Sequence, residues 1–374
     1  MQRTQHLQAQ MERAQVDSVV LTTEPNVRYY SGFLTQFWQS PTRPWFLIVP
    51  AEGEPMAVIP SIGEASIKSS HVGKVHVWAS PRPEDEGVSM LASVLKDVCK
   101  GHKKVGVPMG PETLVRMPAN DFAALRDQLT GIEVVDCTDI LIALRTIKSE
   151  SEIAKQAYVA SLVSDAYANV PNIVSAGMSE RDVVRAYRAD VLGRGADTVP
   201  YIVSTAAAGG SDDAIRFPTD RAMEDGDVLF IDTGAEIDGY YCDFDRNFAL
   251  GHADDAAKRA YELVYRANNA GIAAVKPGAR ACDVFNAMAA VLEDGGATVG
   301  CVGRMGHGIG LHNTEWPSLM ATDQTVLQPG MVLAVEPGFD FAPGKMMLHE
   351  ENVVVREHGA ELITRRAAAE LPVI

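Results

Sequence analysis

Cysteine is scarce and unpaired in this sequence: Cys99, Cys137, Cys242, Cys282 and Cys301 are dispersed over 374 residues with no CxxC spacing. An odd, scattered set in a chain this long points to neither a disulfide framework nor a thiolate zinc site, so a reduced compartment is expected. Long apolar runs are missing too. No stretch of about 18 apolar residues is present to span a bilayer, and no membrane partner is expected. The opening MQRTQHLQAQMERAQ is polar and amphipathic, without the apolar centre of a secretory signal, so the expected location is cytoplasmic. Positive charge is in deficit, with 33 Lys and Arg against 49 Asp and Glu and a formal charge of -16. That balance repels polyphosphate and argues against nucleic acid as a partner. The rest is ordinary globular usage, 47% hydrophobic and 22% charged, in a chain too long for one core. Two domains are expected.

The first part alternates strand and helix signals. Residues 18–22 form a β-branched run that Glu24-Pro25-Asn26 ends, and residues 45–49 and 56–59 read as strands about a turn at 51–54. Residues 104–107 give another strand, preceded by a helix over 90–98. This α/β domain is expected over residues 1–140, and it holds no cluster of metal-ligand residues. Apolar spacing over 141–168 predicts a helical boundary, with Ser149 and Glu152 placed for a capping box. Helices over 179–192, 256–274 and 281–292 follow. Strands dominate after Leu327, within a second domain expected over 141–374.

The chemistry rests on Asp232, Asp243, His307, Glu336 and Glu350, each in its own local motif. Four carboxylates and one imidazole are a hard, oxygen-rich set of the kind two adjacent divalent cations require. Carboxylates partly cancel the cations' charge, and one imidazole suits Mn, Fe, Co or Zn while leaving positions open for water. The strand 228–232 runs toward Asp238-Gly239, a hairpin turn signal, and returns over 240–248. A two-residue loop sets Asp232 opposite Asp245 with Asp243 diagonal on the same face, where carboxylates repel unless a cation sits among them. A slip of one residue would turn Asp243 and Asp245 to the other face, and the segment also reads as an exposed acidic hairpin. In Arg304-Met305-Gly306-His307-Gly308-Ile309-Gly310 the glycines allow close backbone approach. A lone histidine of this kind is more often packed than ligating, and the Gly-Lys-Ser/Thr of a phosphate loop is missing. Glu336 closes one apolar run and Glu350 opens another. A glutamate in such a strand is costly unless paired or coordinated. Asp232-Thr233-Gly234 also matches the loop of aspartic proteases, but those enzymes need two such loops and this chain has one.

Taken in order, several motifs resemble the creatinase, prolidase and methionine aminopeptidase superfamily, the pita-bread metallohydrolases. They are Leu144-Arg145-Thr146-Ile147-Lys148-Ser149 with Glu152-Ile153, Gly226-Asp227, Gly239-Tyr240, His307-Gly308-Ile309-Gly310-Leu311 and Glu336-Pro337-Gly338. The resemblance spans essentially the whole chain. It implies an α+β fold, with a creatinase-type α/β N-terminal domain followed by a pita-bread C-terminal domain, and a homodimer. It also implies a dinuclear site of Asp232, Asp243, His307, Glu336 and Glu350, with Glu351 as the alternative to Glu350 and Glu336 also handling the proton. Two divalent ions are expected, Mn first, with Fe, Co or Zn as alternatives.

Three positions depart from the family's peptidases. Thr314 stands where they carry a second histidine, Ile215-Arg216-Phe217 replaces a Pro-His-Tyr-like stretch, and Asp245 replaces a threonine. Arg216 is expected to clamp a substrate carboxylate, since a guanidinium can do so bidentately, while Thr314 offers only a hydroxyl. Trp38 and Arg43 of the loop 37–45, with Trp316 and Asp245, are candidate walls of a pocket suited to a cationic substrate. The plainer alternative is that both tryptophans pack a core. The expected activity is hydrolysis of a small C–N bond in a small-molecule substrate. The alternatives are a lyase acting on a small zwitterion such as dimethylsulfoniopropionate, and a non-catalytic binding protein on the same fold.

Overall fold

A computed structural model describes residues 2–41, 43–298 and 303–374, so Thr42 and Cys301 lie outside the described residues. The chain divides into two compact units, Met1–Arg145 and Thr146–Ile374.

In the first unit α1 (Gln2–Ala14) leads into β1 (Ser18–Leu21), whose apolar run is wholly buried. The Glu24-Pro25-Asn26 stretch ends that strand by starting a helix, α2 (Glu24–Ser31), because proline lacks only an N–H that the first turn leaves unbonded anyway. β2 (Phe46–Pro50) and β3 (Met56–Pro60) pair as a hairpin. After them come α3 (Glu64–Ile67), β4 (Lys74–Trp78), α4 (Val88–Val98), β5 (Lys104–Val107), α5 (Ala119–Gln128), β6 (Glu133–Asp136) and α6 (Thr138–Thr146). The strands form one mixed sheet in the order β4-β3-β2-β1-β5-β6. Val20, Phe46, Ile48, Val58, Leu91, Leu95 and Val105 pack its core.

The second unit opens with α7 (Glu150–Ile173), at whose start the Ser149 N–H donates to the Glu152 carboxylate at 2.8 Å. The helix expected over 141–168 is therefore two helices. Between them Lys148 N–H donates to the Gly330 carbonyl at 2.8 Å and Ile147 bridges Met331, which pulls three residues out of helical register. Next, α8 (Glu180–Gly193) is capped by the Ser179 hydroxyl. β7 (Thr198–Ala208), β8 (Asp227–Ile237) and β9 (Tyr240–Ala249) then make a three-stranded antiparallel sheet. Beyond it lie α9 (Asp255–Ala274), α10 (Ala281–Asp294), β10 (Gly306–Gly308), β11 (Glu315–Ser318), β12 (Val332–Val335), β13 (Gly338–Ala342), β14 (Lys345–Leu348), β15 (Glu351–Arg356) and β16 (Gly359–Leu362). A second sheet runs β11-β10-β12-β15-β16, with β13 and β14 as a separate hairpin.

Successive strand residues point to opposite faces, and this alternation sets the site. Leu229, Ile231 and Ala235 of β8, with Cys242, Phe244 and Phe248 of β9, join one core with Val163, Tyr167, Val184 and Tyr187 of α7 and α8. The intervening residues, Asp232, Asp243 and Asp245, share the other face. Cys99, Cys137, Cys242 and Cys282 are free and buried. No helix among the described residues is long and apolar enough to cross a membrane.

Candidate metal centre

The β8–β9 hairpin turns on Asp238 and Gly239, with φ of 47° and 74°, the left-handed values a two-residue hairpin loop needs. Asp232 faces Asp245 and Gly234 faces Asp243, the register that a two-residue loop predicts. All three aspartates are buried. The Tyr201 side chain of β7 stands beside the Asp232 carboxylate and favours its charged form. Asn247 Nδ2 donates to Asp245 Oδ2 at 3.1 Å, and Asn313 Nδ2 donates to Asp243 Oδ2 at 2.8 Å.

The second sheet brings His307 and Glu350 to Asp243. His307 is the middle residue of β10, buried, and its Nδ1 lies 3.0 Å from the Gly308 carbonyl. A carbonyl only accepts, so Nδ1 carries the hydrogen and Nε2 keeps its lone pair, which sits 3.6 Å from Asp243 Oδ2. Candidate ligand atoms of Asp243, His307 and Glu350 all lie within 4.8 Å of one another. Glu336 directly follows β12 and is half-buried, while Glu350 directly precedes β15 and is buried.

Glu350 and its neighbour Glu351 are in opposite situations. Glu351 accepts from Arg246 Nη2 at 3.1 Å, Arg366 Nη1 at 2.9 Å, the Ala367 N–H at 3.0 Å and the Thr364 hydroxyl. Burial works against its charge, but these donors and the Arg246 guanidinium hold its carboxyl far below the usual range. Oε1 of Glu350, in contrast, is buried and meets no donor.

Asp232 Oδ1, Asp243 Oδ1 and Asp245 Oδ1 are likewise buried without a hydrogen-bond donor. Burial raises the carboxyls of Asp243, Asp245 and Glu350 well above their ordinary values, and mutual repulsion adds to it. Burial raises Asp232 as well, with Tyr201 pulling partly back, and raises Glu336 together with repulsion from Asp232. Burial pushes His307 down to about 4, so the imidazole is neutral at physiological pH and able to ligate. A protein that builds so many buried carboxylates with unused oxygens pays heavily unless cations are present. Hard oxygens plus one neutral imidazole are a set that divalent ions fit.

Arg216 does not reach for the centre: its two terminal nitrogens grip Glu180 at 2.7 and 2.8 Å. Asp245 meets Arg246 through its backbone carbonyl, at 2.6 Å, rather than through its carboxylate. Thr314 and Trp316 lie half-buried at the β10–β11 connection and in β11. In the first unit, Trp38 is buried 6.1 Å from Trp45 with the Arg116 guanidinium 5.3 Å from its ring, and Arg43 lies 5.9 Å from the Phe37 ring. Tyr201, Asn313 and Asn352 touch the aspartates and carry no sequence signal of their own.

Residues 154–357 match Metallopeptidase family M24, and residues 3–147 match the Creatinase/Prolidase N-terminal domain. A protein named probable dipeptidase PepE, from Mycobacterium tuberculosis, is 30% identical over 320 residues, 84% of this chain and 81% of its own length. The crystal structure of dipeptidase PepE from Mycobacterium ulcerans is similar at a TM-score of 0.86 and 29% identity, covering 100% of this chain and 97% of that one. The prolidase from Thermococcus sibiricus reaches 0.89 at 24% identity, covering 100% and 98%, a likeness of fold. By sequence and by fold, this chain belongs to metallopeptidase family M24, the metal-dependent hydrolases with a creatinase-type N-terminal domain and a pita-bread C-terminal domain.

Proposed function

We propose that the chain hydrolyses a small C–N bond, as a dipeptidase-like enzyme, at a dinuclear centre held by Asp232, Asp243, His307, Glu336 and Glu350. The observation that carries this reading is the set of buried, donor-free oxygens on Asp232, Asp243 and Glu350 beside the free Nε2 of His307. Glu350 is preferred to Glu351 as the last ligand because two arginines already engage Glu351. Mn is the proposed metal. Residues 1–140 would form the N-terminal domain and 141–374 the catalytic domain of a cytoplasmic homodimer.

Bound divalent cations would acidify a water and polarise the carbon it attacks. Glu336, half-buried and with its carboxyl raised above the usual range, is suited to take a proton and return it to the departing nitrogen. In the balanced reaction the C–N bond breaks, the carbon takes the hydroxyl of water and the nitrogen takes its proton. Once bound cations offset the burial that raises its carboxyl, Asp245, with one oxygen held by Asn247 and the other without a donor, would favour a cationic substrate group. Arg216 is excluded as a carboxylate clamp while Glu180 holds it, so the role of substrate anchor passes from it.

The test is a turnover screen of the full chain, stripped with chelator and reloaded with Mn2+, against glycyl-proline, other dipeptides and N-acetyl amino acids. Turnover that appears with Mn2+ and disappears on chelation is the expected result. A metal-loaded chain that cleaves no amide overturns hydrolysis. A second reading, elimination from a small zwitterion, gains from one observation: neither Thr314 nor the tethered Arg216 supplies the imidazole with which the family's peptidases handle a carbonyl. Release of dimethyl sulfide and acrylate from dimethylsulfoniopropionate would establish it. A chain that takes up no metal and turns over neither class would instead be a binding protein.

A further inference from the structure

Asp243 is held from two directions by amides outside the proposed ligand set. Asn352, buried on β15, meets the Asp243 backbone with its whole side chain. The Asp243 N–H donates to Asn352 Oδ1 at 2.9 Å, and Asn352 Nδ2 donates to the Asp243 carbonyl. That pair joins β9 to β15. Asn313, from the β10–β11 connection, reaches the carboxylate itself through Nδ2 at 2.8 Å.

A carboxylate that ligates a cation is ionised and only accepts, which fixes the orientation of the Asn313 amide with nitrogen toward Asp243 and oxygen away. The oxygen then lies buried over Gly234 with no donor. A Cβ at Gly234 would stand 2.2 Å from it and 3.2 Å from Tyr201 Cβ, so the cross-strand partner of Asp243 has to be glycine for Asn313 to enter. An amide oxygen buried without a donor costs about 1–3 kcal/mol. That cost is borne at the one place where the amide nitrogen meets a candidate ligand.

We propose that Asn313, admitted by Gly234, is a positioning residue for the metal centre. It fixes the plane of the Asp243 carboxylate, keeping Oδ2 3.6 Å from His307 Nε2 and Oδ1 clear of donors. The inference rests on Asp243 and His307 acting as ligands. Without Asn313 the carboxylate is free to turn about its own Cβ–Cγ bond, and the two candidate ligands lose their fixed spacing. Outer partners of this kind change metal affinity about 10- to 100-fold when removed.

The test is Mn2+ binding to the full chain by calorimetry after chelator dialysis, with the thermal midpoint of each metal-free protein alongside. Asn313→Leu keeps the bulk and removes the donor, and Asn313→Ala removes the amide altogether. Both are expected to bind Mn2+ about 10- to 100-fold more weakly than the parent, with the metal-free midpoint of Asn313→Leu little changed. Gly234→Ala reaches the same defect from the opposite strand by evicting the amide oxygen, and carries the test if the Asn313 variants do not fold. Variants that bind Mn2+ as tightly as the parent overturn the proposal, including any whose only change is a lower metal-free midpoint. A parent chain that takes up no Mn2+ overturns the metal reading as well, so the two failures are told apart.

Discussion

Glu180 shows what a single buried charge needs. It is the first residue of α8, and none of its side chain reaches solvent. Burial alone would raise its carboxyl, but hydrogen bonds from Arg216, Thr219 and the Ala206 N–H prevail and hold it at about 2. A folded-state value below the ordinary one means that the unfolded chain takes up the proton first as pH falls. The clamp's contribution is therefore complete above about 4.5 and is lost progressively as pH falls toward about 2. Glu180→Gln is expected to cost about 3 kcal/mol at neutral pH, by leaving Arg216 without its counter-charge. It should also flatten the acid limb of the stability curve. Denaturant melts at neutral pH and at two values between 4.5 and 2 measure both effects, and parallel acid limbs in variant and parent would refute the account. The same clamp takes Arg216 from the substrate-anchoring role that its guanidinium suggests in the sequence. Nothing in the spacing shows that an acid 36 residues earlier will claim it. The candidate ligands were legible because each sits in its own strand or glycine motif, whereas Asn313, Asn352 and Tyr201 act through one amide or hydroxyl, a function that leaves no periodicity to read.

Elements were legible where both faces of a strand or one face of a helix is apolar. β1, β2, β3 and β5 lie inside their sheet and read as continuous apolar runs, whereas β4 and β6 lie at its edges, partly exposed, and gave no run to find. The β8–β9 register was readable from two turn residues, because an Asp-Gly loop fixes every pair beyond it. The break between α6 and α7 was not, since it is imposed by Gly330 and Met331 from far along the chain. Glycine substitutions give the sharpest test at this scale. In β10, a Cβ on Gly308 would stand 2.1 Å from the Trp316 carbonyl oxygen, a backbone atom that cannot swing aside. Gly308→Ala is expected to cost more than about 2 kcal/mol and to disturb His307 beside it. Gly193, at the end of α8, has open space around its Cβ position and no left-handed backbone. Gly193→Ala should stabilise by up to about 1 kcal/mol, through the lower entropy of the unfolded chain. Urea melts of both variants check the pair, and a shared sign would show that close approach does not govern the β10 glycines.

At the scale of the whole molecule, an acidic chain concentrates its least compensated charge inside one unit. Asp232, Asp243, Asp245 and Glu350 are buried in the second unit, and each keeps an oxygen that no donor reaches. The only group of potential metal ligands found among the described residues is also there. Cation binding should therefore act as a folding ligand for that unit, adding about 2.7 kcal/mol when free metal stands at 100 times its dissociation constant. The effect should be local. Hydrogen exchange at the amides of β8, β9 and β15 is expected to slow when Mn2+ is added to the stripped chain and to recover with chelator. Amides in the six-stranded sheet of the first unit should exchange at unchanged rates, because no group of potential metal ligands is found there among the described residues. Slowing of equal size in both units, or none in β8 and β9, would mean that these acids are not held together by metal, and the repulsion among them would need another source of relief.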